Sequence, residues 1–161
     1  MDMRRRERAL TTPDEITAVL EHCQIARLGL VGEKGPYVVP VNFAYAVRDD
    51  NITIYAHGAP SGRKLAMITA DPRCCVEVDH VIGLATGETG QPCGHSTYYE
   101  SVIGTGFARI VTDPNEVRHA LQLLVARHMP DDVDAVPALP KNVVVVAVDL
   151  DTVTGKANRP S

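Results

Sequence analysis

Residues 35–64 read GPYVVPVNFAYAVRDDNITIYAHGAPSGRK, and this stretch decides the fold. Every second residue of 39–47 is apolar, which is the pattern of a half-buried β-strand. Residues 49–51 supply a tight Asx-rich turn, and residues 52–57 return as a second strand. Because Pro40 has no backbone N–H, we expect the first strand to lie at a sheet edge or to bulge there, leaving backbone groups free.

The return strand runs directly into a cationic segment, HGAPSGRK at residues 57–64. Ser61 is predicted to cap the helix that follows, with Arg63 and Lys64 beside the free N–H groups of its first turn. Such a helix start binds a phosphate or a carboxylate. The spacing is not that of a P-loop. A solvated helix start with two surface cations is the alternative, and these residues alone leave both possibilities open.

Length and composition limit the classes of protein to consider. A chain of 161 residues suits one domain, 1–161, and its net charge of -4 disfavours a nucleic-acid binder. The RRRER run at residues 4–8 predicts a mobile, solvated basic arm over residues 1–10, and residues 151–161 are expected to form a C-terminal tail. No apolar run reaches the ~20 residues of a membrane span. No apolar signal region is visible either, so we expect a cytoplasmic protein without a membrane partner.

The cysteines form no C-x-x-C pair, which favours buried thiols in a reducing compartment. Cys93 and His95 could offer two metal ligands, but two groups in a Gly/Pro-rich loop are weak evidence, and we predict no metal site.

Capping signals and periodicity place the remaining elements. Residues 12–15 form a capping box that starts a helix, and Asp113 opens another. The predicted strands cover residues 24–31, 73–79, 98–111 and 141–150, with loops at 83–94 and 131–140. The last of these strands is so aliphatic that both of its faces must be covered. Strands outnumber helices, so the fold class is mainly β, a small barrel with added helices.

Four further residues carry specific expectations. Arg27 lies in a strand and should pair with a carboxylate, a ligand role being the lesser alternative. His119 and His128 lie on the last helix without ligand-like partners and are read as surface or boundary residues. Gly104 belongs to a strand face left almost bare by glycine and alanine. That face admits another backbone or a flat ligand, and a twisted barrel corner needs the same glycines.

The segments ARLGL, PYVVPVNFAY, YAHGAPSGRK, YYESVIGTGFARIV and TGKA resemble the pyridoxamine 5'-phosphate oxidase-like FMN-binding split β-barrel family. The nitroimidazole-resistance (Nim-type) branch is the most similar within it. The resemblance covers nearly the whole chain in order, and the pairing of VPVNF with HGA-x-x-GRK is its most specific part. It implies an FMN-binding split barrel that forms a homodimer, with the flavin between the subunits. Haem and deazaflavin are alternatives, since the family includes members that bind them.

The resemblance also implies roles for individual residues. Ser61, Gly62, Arg63 and Lys64 would hold the FMN phosphate, and backbone at Pro40, Val41, Asn42 and Phe43 would face the isoalloxazine edge. His57 matches the family's histidine beside the flavin, and Tyr99, Glu100 and Ser101 resemble the stretch supplied by the other subunit.

The leading functional hypothesis is a flavin-dependent reductase that passes electrons from transiently bound NAD(P)H to a small planar acceptor such as a nitroaromatic. His57 would donate a proton or steer the acceptor, or it would only pack on the flavin. The alternatives are a non-catalytic flavin or haem binder or sensor, and an unliganded dimeric interaction module. We expect an obligate dimer, because residues 143–148 and the Gly104/Gly106 face need more cover than three short helices provide.

Overall fold

The computed structural model describes residues 4–87, 91, 94–131 and 142–160. Its elements are, in chain order, β1 (Ala9–Leu10), α1 (Pro13–His22), β2 (Ile25–Leu30), β3 (Tyr37–Arg48), β4 (Asn51–Gly58), α2 (Arg63–Ala70), β5 (Arg73–Ala85), β6 (Ser96–Ile110), α3 (Pro114–His128) and β7 (Val144–Asn158). All strand pairings are antiparallel, in the order β7-β4-β3-β2-β5-β6, and β6 pairs back to β7. The six strands therefore close into a barrel, which confirms the predicted mainly β barrel with helices added.

The hairpin β3–β4 forms as its sequence predicts. Asp49 and Asp50 have φ values of 48° and 64°, the left-handed pair that a two-residue hairpin turn requires. Residues 43–48 of β3 pair with β4, whereas residues 37–42 pair with β2 alone. Pro40 lies among residues 37–42, and it has no backbone N–H to donate to a neighbouring strand. The predicted free edge of β3 is therefore present at Pro40.

Helix α1 starts at the predicted capping box. The Thr12 side chain accepts from the Glu15 N–H at 3.2 Å, and the Glu15 carboxylate accepts from the Thr12 N–H at 3.1 Å. Its apolar face, with Ile16, Val19 and Leu20 buried, belongs to the main core of the barrel. The predicted pairing of Arg27 is also confirmed, since its guanidinium donates to Glu77 at 3.0 Å and contacts a second carboxylate on β5.

The bare face of β6 admits the backbone of β7. A Cβ added to Gly106 would lie 1.9 Å from the Asp149 carbonyl oxygen, and one added to Gly104 would lie 2.7 Å from a Leu150 methyl carbon. The register of β6 against β7 shifts at this point, between Thr105 and Gly106. The close approach of another backbone, at an irregular corner of the barrel, therefore explains these glycines without a flat ligand.

The reason given for an obligate dimer is wrong. Residues 145–148 are buried within one chain, with the main barrel core on one side and helix α3 on the other. Helix α3 packs Ala120, Leu121 and Leu124 against β3, β4 and β7. An ion-pair network fixes the same helix, because Arg109 contacts both Glu116 at the helix start and Asp149 on β7 at 2.7 Å. The monomer therefore covers this aliphatic strand by itself.

Strands extend into three segments for which the sequence-based prediction had no strand. Strand β5 continues to Ala85, so Gly83 lies in a strand and not in the predicted loop. Strand β7 continues to Asn158, so most of the predicted tail pairs with β6 and β1. Residues 9 and 10 of the predicted basic arm form β1, which pairs with Lys156 and Gly155. Long-range pairing, which local patterns do not encode, extends all three segments.

Candidate functional site

The cationic segment lies where β4 ends and α2 begins. The helix starts at Arg63, and its N-cap residue is Gly62, whose φ of 135° is available without strain only to glycine. The predicted cap at Ser61 is wrong, because no side chain makes a capping hydrogen bond at this helix start. Ser61 lies exposed one residue earlier. The first-turn N–H groups of α2 are consequently not occupied by a side-chain cap.

Lys64 points from α2 back toward the end of β4. A Cβ added to Gly58 would lie 3.1 Å from the Lys64 ammonium nitrogen, so glycine provides the room that this side chain occupies. Lys64 is half-buried, and burial lowers the pKa of its ammonium. Across the described ranges no carboxylate pairs with it. A desolvated cation of this kind is suited to an anionic ligand.

Arg63 projects elsewhere from the same helix turn. Its guanidinium carbon lies 4.3 Å from the centroid of the Tyr37 ring, a cation–π contact at the start of β3. Arg63 also lines a surface cavity of about 800 Å³ between α2 and the β2–β3 connection, beside Gly32, Gly35 and Met67. The two predicted phosphate ligands are therefore neighbours in sequence whose cationic groups have different surroundings.

His57 lies within electrostatic range of Lys64 and of a second histidine, His128. The pKa of His57 is lowered by partial burial first, and then by the positive charges of Lys64 and His128. His128, in the last turn of α3, lies with its Nε2 2.9 Å from the Phe43 carbonyl oxygen. The sequence-based prediction treated His128 as a surface or boundary residue. Its helical spacing from the buried residues Leu121 and Leu124 was the signal that it faces the barrel.

The stretch Pro40–Phe43 lies next to this group on β3. Pro40 and Asn42 are exposed, Val41 is half-buried, and Phe43 is fully buried in the barrel core. Up to Asn42 the β4 side of the strand has no ladder partner. Backbone groups at this edge are therefore placed to meet a ligand lying beside β3.

The third predicted stretch is not brought to this place within one chain. Glu100 is only 1% exposed, and its carboxylate contacts His22 from α1 and accepts from Arg159 at 2.9 Å. On β7, Val145 pairs with His57 of β4, and the next residue, Val146, pairs with Ile110 of β6. His57 therefore lies near the Ile110 end of β6, whereas residues 99–101 lie toward the other end of that strand. Tyr99 and Ser101 are half-buried. Glu100 is thus used inside its own chain, and a role of this stretch in a partner's site stays a prediction.

Two further features bear on the class of protein. In the part of the chain that the structure describes, no group of three or more acidic, histidine or cysteine side chains is placed to hold a metal ion. Cys93, named above with His95, lies outside the described residues. Among the described helices, none has the length and apolar character needed to cross a membrane.

A closed six-stranded antiparallel barrel with added helices, and with a free strand edge beside a cationic helix start, has the split-barrel fold. The family model described as pyridoxamine 5'-phosphate oxidase matches residues 12–157. The chain therefore belongs to the pyridoxamine 5'-phosphate oxidase family. No match is found among curated protein sequences.

Solved structures support the same assignment. A candidate 5-nitroimidazole antibiotic resistance protein from Bacteroides thetaiotaomicron is 29% identical, with a TM-score of 0.71 over 92% of this chain and 85% of that one. An FAD-binding protein from Mesorhizobium loti is 26% identical, with a TM-score of 0.62 over 94% and 97% of the two chains. A flavocytochrome from Azotobacter vinelandii shares only 18% identity, but its TM-score is 0.81 over 99% of this chain and 73% of its own. The first of these structures agrees with the resemblance to the nitroimidazole-resistance branch.

Proposed function

We propose that the protein is an FMN-dependent reductase that passes electrons from NAD(P)H to a small planar acceptor such as a nitroaromatic. The observation that carries this proposal is the similarity, at 29% identity, to the candidate nitroimidazole resistance protein. Membership of the pyridoxamine 5'-phosphate oxidase family agrees with a flavin as the redox group. When bound, FMN would supply the electron transfer itself, while the chain would place the ligand and exclude water.

The described residues fit such a ligand. Lys64 offers a desolvated ammonium that no carboxylate neutralises in the described part of the chain, which suits a phosphate. Gly62 brings the uncapped N–H groups of α2 to the same place. The backbone of Pro40–Phe43 would face the edge of the flavin ring, next to the free side of β3.

His57 is the proposed proton donor. It is the last residue but one of β4, within electrostatic range of Lys64, and its lowered pKa makes the neutral imidazole the prevailing form near neutral pH. A neutral imidazole that picks up a proton only transiently can pass it on to a reduced acceptor. The competing role is packing against the flavin without proton transfer.

A homodimer is also part of this proposal, for a reason that differs from the sequence-based one. Strands β5 and β6 turn the apolar side chains Val81, Ile103 and Phe107 to the same side of the sheet, where they are 59%, 47% and 51% exposed. Apolar residues exposed together favour a protein interface. A second copy packed on this face would bring Tyr99 and Ser101 of one subunit toward the flavin of the other.

The absorption spectrum of the purified protein, followed by anaerobic addition of NAD(P)H, tests the proposal. Flavin bands that bleach support the reductase. A Soret band would instead identify a haem binder, and a deazaflavin spectrum a different electron carrier. Flavin bands that persist with NAD(P)H favour the non-catalytic binder. If neither the purified protein nor protein mixed with FMN carries a chromophore, the proposed function is wrong.

A further inference from the structure

Two histidines from distant parts of the chain meet beside the last turn of α1. His22 lies in that turn and His80 lies on β5, and their ring centroids are 5.9 Å apart. Both are open to solvent, since His80 is exposed and the His22 side chain is 56% exposed. Within the described residues, His80 makes no hydrogen bond or ion pair and contacts only the ring of His22. The imidazole of His80 is therefore available to a ligand from solution.

Glu100 determines which nitrogen of His22 is available. This carboxylate is 1% exposed, lies on β6 opposite His80 in the strand register, and contacts the Nδ1 of His22 through Oε1. An ionised carboxylate can only accept, so Nδ1 carries the hydrogen and Nε2 keeps its lone pair. Arg159 donates to the other carboxylate oxygen, Oε2, at 2.9 Å and balances its charge. Histidines that bind metals are usually oriented by a carboxylate or carbonyl in this way.

The separation of the two rings suits one shared metal ion. A metal–nitrogen bond of about 2.0–2.1 Å places the ion about 3.2 Å from the centroid of each ring. Two rings on one ion are then about 5 Å apart at a tetrahedral angle, and about 6.4 Å apart when they lie opposite each other. The observed 5.9 Å lies between these limits. The exposed His80 ring can turn toward the ion while His22 keeps its bond to Glu100.

We propose that His22 and His80 bind one divalent transition-metal ion of the class that prefers imidazole, such as Zn²⁺, and that Glu100 positions His22 for it. The described residues offer no group of three ligands, so water would complete the coordination. Cys23, the residue after His22, is buried in the main core and supplies no ligand. The sequence-based expectation of no metal site considered only ligands close together in sequence, whereas this pair forms through the fold.

The proposed ion would connect α1 to β5 directly, and to β6 through Glu100. It lies apart from the cationic start of α2, so the inference does not depend on the proposed function. Flavin binding plays no part in the test, and either proposal can fail without the other.

The test is isothermal titration of the full-length, metal-free protein, without an affinity tag, with Zn²⁺. At about pH 7.5, where imidazole is neutral, wild type should bind one ion per chain. It should not bind Mg²⁺, which prefers oxygen ligands. His22→Gln and His80→Gln should each weaken Zn²⁺ binding by about tenfold or more, since even the loss of an outer partner costs about 10–100-fold. His119→Gln is the matched control, because His119 packs edge-on against Tyr55 and should leave Zn²⁺ binding unchanged.

The inference is overturned if wild type binds no Zn²⁺ at millimolar concentration, or if either His22→Gln or His80→Gln binds it as tightly as wild type. His80→Gln alone decides if His22→Gln does not fold, because His80 holds no hydrogen bond in the described chain.

NMR of the imidazole nitrogens tests the role of Glu100. Zn²⁺ should shift the Nε2 signal of His22, while the Nδ1 hydrogen stays bonded to Glu100. Glu100→Gln should weaken Zn²⁺ binding by about 10–100-fold and alter the Nδ1 signal in the metal-free protein. Zn²⁺ bound through Nδ1, or a folded Glu100→Gln variant with wild-type affinity, would show that Glu100 does not position the ligand.

Discussion

Lys64→Met, which removes the ammonium and keeps the length of the side chain, should weaken FMN binding and leave riboflavin binding nearly unchanged. The half-buried ammonium has no carboxylate partner in the described chain, so an anion meets a cation that is already partly desolvated. One charge-assisted hydrogen bond is worth about 1.5–3 kcal/mol. The Kd for FMN should therefore rise about 10- to 150-fold.

Arg63→Met is the matched variant at the neighbouring position. The Arg63 guanidinium must leave the face of the Tyr37 ring before it can bind a phosphate. Losing that contact offsets about 0.5–1 kcal/mol of the free energy that phosphate binding provides. The expected loss of FMN affinity is correspondingly smaller, about 2- to 70-fold. If the two losses add in free energy, the double variant should lose about one to four orders of magnitude. Lys64→Met should leave the melting temperature unchanged, because no carboxylate pairs with this cation in the described part of the chain. Arg63→Met should lower it by a few degrees at most, because only the contact with the Tyr37 ring is lost.

Isothermal titration of the apoproteins with FMN and with riboflavin measures these losses. Equal losses for the two ligands would mean that the cations support the structure and do not contact the phosphate. Unchanged FMN binding in the double variant would refute the placement of the phosphate at this helix start. If Arg63→Met weakens FMN binding more than Lys64→Met does, the reasoning from the burial of Lys64 and from the contact between Arg63 and Tyr37 is wrong.

The remaining predictions concern the proton donor, the barrel and the dimer. His57→Ala should retain flavin but slow nitroaromatic turnover by ~10²–10⁴-fold, and unchanged turnover would leave His57 with a packing role only. Gly106→Ala should lower the melting temperature by several degrees, because a methyl group there meets a backbone carbonyl, while Gly83→Ala, with nothing within 4 Å, should not. Glu100→Gln should lower stability at pH 7 by about 1–3 kcal/mol in denaturant titrations. Burial raises the pKa of Glu100, but hydrogen bonds from His22 and Arg159 outweigh this and lower it overall. The stability that the ionised carboxylate adds is therefore present above its unfolded-state pKa and lost as pH falls through its folded-state pKa, so the difference between variant and wild type should vanish in acid. If the proposed dimer forms, Phe107→Glu should convert it to a monomer in light scattering, and a wild type that is monomeric at every concentration would refute the dimer.

Local sequence signals were sufficient for the elements that define the barrel. The capping box at Thr12, the hairpin turn at Asp49 and Asp50 and the free edge at Pro40 each follow from chemistry within a few residues. The glycines of β6 indicated a close approach, but only the fold shows that the backbone of β7 fills the space. The alternation of apolar and polar residues predicts where strands form but not which strands pair. The extensions of β5 and β7, which depend on that pairing, were therefore not predicted.

The candidate site was predictable only in part, for a physical reason. His57 and Lys64 lie close in sequence, and their proximity follows from a single strand-to-helix turn. His128 reaches them through the docking of α3 on the outside of the barrel, which depends on contacts between distant segments. Ser61 was favoured as the cap because its side chain suits that position, yet Gly62 takes it with a φ that serine would not adopt readily.

Strand β7 pairs with β1, β4 and β6, and it is synthesised after all three. While the chain leaves the ribosome, the earlier strands can form their hairpin and sheet, but the edges of β4 and β6 stay open until residues 144–158 arrive. Unpaired edges are templates for association with other chains. Because closure joins segments far apart in sequence, it must overcome a large loop entropy and should be slow. The protein is therefore most exposed to aggregation during synthesis. Chaperones that shield open sheet edges should raise the yield of folded protein without changing the stability of the finished barrel.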